Sequence, residues 1–385
     1  MNQIVCLSTT NFRPLPTRKQ NVMTRLHNSE VLYFDPPVTL LAPLKDKKAR
    51  ARLFRFRRPG EIVHDNVTVY ALPPVLPFYN KFRWINRVNQ LFQARYVRGK
   101  MKAHGFDKPV LWCYSPSSCD AVRHIPHSAL VYDCVDRHSA YQGLINPKVV
   151  DGMERQLASA ADQVFATAVG LQETLQEYND TAQLIPNGCA YEIFSRVARE
   201  KLICPDEMDA LTHPVFGFVG MFQECIDYDR MALLARAMPL ATIYLIGRPL
   251  PGVDLSALRA LPNVVIHDLV PQEKLPNYLA QFDVCLNLFR EGSLSRDVSP
   301  LKFYEYLATG KPIVSTREPL QVGEFADVIE ISQSPDDFVD LCRKAAEEND
   351  PERRRLRLRR AEQCSWDARV RQMEHTLYHR DIFKP

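Results

Sequence analysis

Short apolar runs alternate with helical patterns along almost the whole chain, and this alternation narrows the possible folds more than any other feature. In the first half the runs fall at residues 4–7, 31–34, 67–71, 110–113, 129–134 and 163–166, with helical spacing at 17–26, 82–102 and 149–160. In the second half they fall at 215–219, 241–246, 264–267, 284–287, 313–315 and 328–331, with helices expected at 230–237, 274–280, 301–308 and 335–348. A strand that is apolar at every position must be covered on both faces, so the pattern reads as parallel sheets flanked by helices. The 385 residues suffice for two domains with separate cores. The strong turn signal Pro186-Asn187-Gly188 lies between the halves. It sets the expected boundary at 187/188.

Composition excludes several classes. Hydrophobic residues make up 46% and charged residues 24%, as in a soluble globular protein. No apolar run has the length to span a bilayer. Residues 1–7 are too short and lack a basic start for a signal peptide, so the expected location is the cytoplasm. Of ten cysteines, Cys6, Cys113, Cys134 and Cys285 lie inside strand-like runs. There is no C-x-x-C and no Cys/His cluster with zinc spacing, so reduced thiols and no structural metal are expected. The first glycine is Gly60, so the first strand cannot run into G-x-G-x-x-G. A nicotinamide-dependent oxidoreductase is excluded.

Net charge is only +4, yet basic residues cluster. Residues 45–58 hold eight Lys or Arg against one Asp, and 81–102 hold seven and no acid, interleaved with Phe82, Trp84, Phe92 and Tyr96. Runs of this kind suit an anionic surface. The aromatics favour a membrane interface over nucleic acid, so an anionic membrane surface is the expected partner and no nucleic acid is expected. A third run, 353–360, reads equally well as a solvated helix face.

The stretch from Ser299 to Val314 (SPLKFYEYLATGKPIV) reads as a loop, an amphipathic helix, a glycine stop and a buried strand. A helix N-terminus gathers unpaired N–H groups and suits a phosphate. Lys302 in the first turn and Glu305 one turn on share a face. A cation for a diphosphate beside a carboxylate for ribose hydroxyls is the pairing a nucleotide-sugar site requires.

This stretch resembles the donor-binding segment of GT-B glycosyltransferases, especially the GT4-like group. Further pieces appear in order: Pro186-Asn187-Gly188 before Tyr191-Glu192-Ile193-Phe194, Phe216-Gly217-Phe218-Val219-Gly220, Tyr244-Leu245-Ile246-Gly247, Pro262 to Asp268 (PNVVIHD), and Gln281-Phe282-Asp283-Val284-Cys285. The resemblance implies two Rossmann-like domains facing each other across a cleft. The last helix would cross back, giving an acceptor-binding domain of 1–187 plus 368–385 and a donor-binding domain of 188–367. Gly220, His267, Leu269, Ser299, Pro300, Leu301, Lys302 and Glu305 would bind the nucleotide and its phosphates, with Asp297 and Arg290 near the donor sugar. The donor would be a UDP-sugar, taken as co-substrate without cofactor or metal. The chain departs from the group in having Met221 after Gly220 and Asp227 where a lysine is usual. A lysine in the Lys302 position also resembles GT-B glucuronosyltransferases.

In the first half, an apolar strand runs directly into Asp136-Arg137-His138. Similar segments occur in teichuronic-acid-type transferases, which the chain also resembles, and a glycan or lipid-linked acceptor of a bacterial surface polysaccharide follows from that likeness. Asp136, then His138, would take the acceptor's proton. Arg18 and Lys19 open the first helix and would bind acceptor or phosphate. Two other readings stay open: a UDP-sugar 2-epimerase on the same fold, and a basic nucleic-acid-binding protein.

Overall fold

The computed structural model describes residues 1–14, 16–45, 49–141, 143–292 and 296–384. Asp46, Lys47 and Lys48 of the first basic run lie outside the described residues. By its internal contacts the chain divides into two units, Met1–Pro186 with Val370–Pro385, and Asn187–Arg369.

The first unit is built on β1 (Asn2–Leu7), β2 (Ser29–Asp35), β3 (Glu61–His64), β4 (Val67–Ala71), β5 (Val110–Cys113), β6 (Ala129–Cys134), β7 (Gln163–Ala166) and β8 (Gln183–Leu184). They form one sheet in the order β3-β4-β2-β1-β5-β6-β7-β8. Every pairing is parallel except β3 with β4. Successive side chains of a strand face opposite sides, so β1 feeds two cores. Val5 and Leu7 pack with Leu32, Leu111, Val97 and Leu157. Ile4 and Cys6 pack with Val22, Trp112 and Phe165, and with Val370, Met373 and Leu377 from the end of the chain. That end is fastened in place: Lys384 N–H donates to Asn2 Oδ1 at 2.8 Å, and Glu374 accepts His27 N–H at 2.6 Å.

The second unit carries β9 (Val215–Val219), β10 (Thr242–Ile246), β11 (Val264–His267), β12 (Val284–Asn287), β13 (Ile313–Thr316) and β14 (Glu330–Ser332). All are parallel, in the order β11-β10-β9-β12-β13-β14. In each unit the strand order reverses next to the unit's first strand, between β1 and β5 and between β9 and β12. A crevice opens beyond the carboxyl ends at such a reversal, and ligands of open α/β sheets bind there.

Two glycines are dictated by geometry. Gly310 stops the helix Leu301–Thr309 at φ 72°, a left-handed position that a side chain resists. At Gly247 a Cβ would fall 1.9 Å from the carbonyl oxygen of Gly220, so the turns after β9 and β10 touch backbone to backbone.

The third basic run is a solvated face only in part, at Arg354, Arg355 and Arg359. It lies in the helix Pro351–Gln363, where Arg357 is buried. Its guanidinium donates to Gly310 O at 3.1 Å and Val328 O at 2.9 Å and pairs with Glu348. Arg353 bonds Glu330 at 2.7 Å and Glu348 at 2.8 Å, and Arg360 bonds Asp327 at 2.8 Å. These arginines staple their helix to the loops around β13 and β14. All ten cysteines are free, and all but Cys204 are buried. Among the described residues no helix is long and apolar enough to cross a membrane, and no cluster of three or more His, Cys, Asp or Glu could hold a metal ion.

Candidate functional site

In the second unit, the helix Leu301–Thr309 is anchored at the strand-order reversal. Tyr306, buried beneath it, accepts the Val219 N–H with its hydroxyl oxygen at 2.7 Å, which ties the helix to the carboxyl end of β9. One residue earlier, Glu305 has a side chain only 2% exposed. Lys302 Nζ donates to Glu305 Oε2 at 2.7 Å, and Gln272 Nε2 donates to Oε1 at 3.4 Å. Burial pushes the Glu305 carboxyl above its ordinary value, and Lys302 pulls it back. The expected phosphate lysine and ribose carboxylate are thus brought together as one half-buried ion pair, with Lys302 not the free counter-charge its sequence position suggested.

Other expected donor residues sit as follows. Gly220 donates its N–H to Ile246 O at 2.9 Å. His267 ends β11, stacks on Tyr244 with ring centroids 6.1 Å apart, and places Nε2 3.2 Å from Glu207. Leu269 donates its N–H to Asp268 Oδ1 at 2.6 Å, and its side chain is exposed. Asp297 is buried, and Pro300 caps the helix ahead of Leu301. Two of the expected residues have partners within the fold. Ser299 holds the linker, accepting Asn187 N–H at Oγ (3.0 Å) and Asn187 Nδ2 at its carbonyl (2.9 Å), because the Asn after Pro186 needs partners of its own. Arg290 pairs with Asp229 at 3.0 Å and lines a shallow depression with Asp227 and Arg230, so it is not gathered with Lys302 and Glu305. Asp227, in the place of the usual lysine, caps the helix Tyr228–Ala237 through Arg230 N–H at 3.1 Å.

The first unit holds a cavity of about 270 Å3 at its own strand-order reversal. Leu7 to Thr10 after β1, Ser115 to Ser118 after β5, and Asp136, His138 and Tyr141 after β6 line it, so each wall comes from a strand's carboxyl end. Asn89, Gln90 and Gln93 of the helix Arg83–Ala103 close another side. Asp136 is exposed and accepts the Tyr141 hydroxyl at 2.9 Å. His138 is buried, and burial pushes its imidazole down to about 4 against the pull of Asp136. It is neutral at pH 7. Its Nε2 lies 3.1 Å from Tyr114 O, so the proton sits on Nε2 and Nδ1 is left as an acceptor. Lys19 lines the cavity; Arg18 does not. Arg18 is buried against Asp133, with Nε 3.0 Å from both carboxylate oxygens, and its Nη1 donates to Ile185 O at 2.9 Å and Pro186 O at 3.1 Å. This buried ion pair, with one N–H shared between the two carboxylate oxygens, ties Arg18 to the fold.

Comparison with known proteins places this geometry. Residues 230–380 match the family model described as glycosyl transferase-like. A protein of Bacillus subtilis strain 168, named as the teichuronic acid biosynthesis glycosyltransferase TuaH, is 25% identical over 264 residues. That match covers 63% of this chain and 65% of the relative. Among solved structures, sucrose-phosphate synthase from Thermosynechococcus elongatus superposes with a TM-score of 0.69 at 13% identity, over 98% of this chain and 99% of that one. The E. coli trehalose-6-phosphate structure bound with UDP-2-fluoro glucose gives 0.70 at 11% identity over the same shares. Anabaena HepE in complex with UDP and glucose gives 0.64 at 13% identity, again over 98% and 99%. The chain has the GT-B fold of two Rossmann-like domains. The family match covers residues 230–369 of the second unit and 370–380 of the first, and the Lys302–Glu305 pair lies inside it.

Several residues that hold the expected site residues in place carry no signal in the sequence. Gln272 and Tyr306 position Glu305, Tyr141 holds Asp136, and Glu207 holds His267. One signal was available: Asn86, Asn89, Gln90 and Gln93 recur at helical spacing inside a basic run, a polar stripe that the helix turns inward.

Proposed function

We propose that the chain is a glycosyltransferase that moves a sugar from a nucleotide-sugar, a UDP-sugar in particular, to a glycan or lipid-linked acceptor of a surface polysaccharide. The observation that carries the reading is the buried Glu305, paired to Lys302 at the first turn of a helix anchored to the carboxyl end of β9. Lys302 and the helix N-terminal amides supply positive potential for a diphosphate leaving group, whose charge grows as the glycosidic bond to it breaks. Glu305 is placed to accept ribose hydroxyls. In the first unit, Asp136 receives the acceptor hydroxyl's proton, with His138 as the second acceptor. The uridine preference is supported by the two similar structures whose titles carry UDP or a UDP-sugar. A thermal-shift screen with UDP, GDP and ADP tests it: UDP is expected to raise the unfolding temperature most, by the equivalent of about 2.7 kcal/mol at a hundredfold excess over Kd. No response to any of the three sinks the reading.

A lipid-linked acceptor brings the protein to a membrane surface, and the helix Arg83–Ala103 is built for one. Trp84, Val88, Leu91 and Phe92 form one outward stripe, with Trp84 63% and Phe92 64% exposed, flanked by exposed Arg87, Arg95 and Arg98. Tyr96 Oη donates to Phe56 O at 2.7 Å, which joins Phe54, 58% exposed, and the described end of the first basic run to the same face. Aromatic wedges among cations suit an anionic headgroup layer, each cation adding about 1 kcal/mol. The chain is expected to co-sediment with vesicles containing anionic lipid, and replacing Trp84 and Phe92 together by Ser should lower that binding at least tenfold. Equal binding by the double variant would return the stripe to ordinary surface.

A further inference from the structure

The first-unit cavity contains a cation that the fold does not use. Lys19 is only 5% exposed and lines the cavity, yet its ammonium makes no hydrogen bond or ion pair with any described residue. Its ammonium lies over the Tyr114 ring, 5.5 Å from Nζ to the centroid. The adjacent Arg18 differs, since its Nε and Nη1 are taken by Asp133 and two carbonyls, with Nη2 alone left without a partner. A buried ammonium without hydrogen bonds is costly, and burial lowers its proton affinity while Asp136 and Asp133 sustain it. The Asp133 charge is already matched by Arg18, and Asp136 is exposed, so neither carboxylate quenches Lys19 at contact distance. Two polar atoms of neighbouring lining residues are closed off from the cavity itself. Gln93 Nε2 and Thr10 Oγ1 are buried without a partner, and both residues line the cavity.

An unpaired cation on the wall of a cavity suits an anionic ligand. We propose that the molecule held by the first unit is a sugar bearing an oxyanion, either a carboxylate or a phosphate, that sits on Lys19. This rests on the reading of the first unit as the acceptor side and names the acceptor's chemical class. The volume of about 270 Å3 lies near the lower end of ligand pockets, roughly 300–1,000 Å3, which suits a single charged ring at the recognition point. Among the described lining residues Lys19 is the only cation and Asp136 the only carboxylate, and His138 is neutral, so Lys19 is the one positive charge available to an oxyanion.

The test is calorimetry on the full chain with glucose, glucuronate and glucose 6-phosphate at fixed ionic strength, each with saturating UDP. At least one of the two anionic sugars should bind tenfold or more tightly than glucose, and Lys19→Met should erase that preference. Lys19→Gln serves as a second variant should the methionine protein fold poorly, with UDP affinity as the fold control. Preference for glucuronate alone identifies the carboxylate, and preference for glucose 6-phosphate alone identifies the phosphate. Equal binding of all three sugars, binding of none while UDP binds, or a preference that survives both substitutions overturns the inference. Failure of the unmodified protein to bind UDP strikes the transferase reading instead.

Discussion

Replacing Lys302 by methionine is expected to weaken UDP binding by roughly 10- to 100-fold, the equivalent of losing one charge-assisted contact of about 1.5–3 kcal/mol. The same change should also destabilise the fold, because Lys302 is the partner of a buried carboxylate. Breaking a buried ion pair costs about 3–5 kcal/mol, and with the Lys302 side chain 30% exposed a loss of roughly 1–3 kcal/mol follows. The two effects separate in a double variant. Adding Glu305→Gln removes the stranded charge, so stability should largely return while UDP affinity stays low. Acidity gives a further handle with a definite sign. The Glu305 carboxyl already stands above its ordinary 4.5 in the fold, and without Lys302 it rises further. A raised carboxyl favours the folded state in its protonated form, so the stability deficit of Lys302→Met should be largest near pH 7 and shrink as the pH falls toward 4.5. Denaturant melts across that range, alongside UDP titrations, decide the matter. Normal UDP affinity in the double variant would remove Lys302 from the phosphate site and leave it a structural lysine.

The legible parts of the molecule were those whose cause is local. Apolar runs such as those of β5, β6 and β9 signal themselves because a parallel sheet buries both faces. The helix Leu301–Thr309 announced its end through Gly310, and the Lys302–Glu305 pair followed from one-turn spacing. What escaped was set by distant partners or by polarity. β3 carries Glu61, the exposed Ile62 and His64 at a sheet edge, and β8 is two residues long, so neither shows an apolar run. The arginines of 353–360 look solvated in sequence because Glu330, Glu348 and Asp327, their partners, belong to other elements. Arg18 and Lys19 are neighbours with the same charge and nearly the same burial, yet one is locked to Asp133, 115 residues away, and the other faces a cavity. Only the packing of the first helix beside β6 separates their roles.

That separation bears on the chemistry expected of the first unit, where Asp136→Asn should lower the transfer rate by about 10²–10⁴-fold with UDP affinity unchanged. Asparagine keeps the shape and can still accept the Tyr141 hydroxyl now bonded at 2.9 Å, so the cavity wall should persist. Only the carboxylate's capacity to take a proton disappears. Asp136 is exposed, so its replacement should move stability by well under 1 kcal/mol. His138 sharpens the assignment through pH. Its imidazole, pushed down to about 4, is neutral throughout the neutral range. It cannot serve as a proton donor there, and its Nδ1 lone pair stays available as an acceptor. A contribution from His138 should appear as a loss of rate only below about pH 5, as the ring begins to gain its proton, and not near the ordinary 6.5. Steady-state rates of UDP release in the presence of an acceptor, set beside UDP titrations of the same protein, measure both quantities. An Asp136→Asn protein that transfers at the unmodified rate would eliminate this carboxylate as the base, and an acid limb near pH 4 would then pass the role to His138.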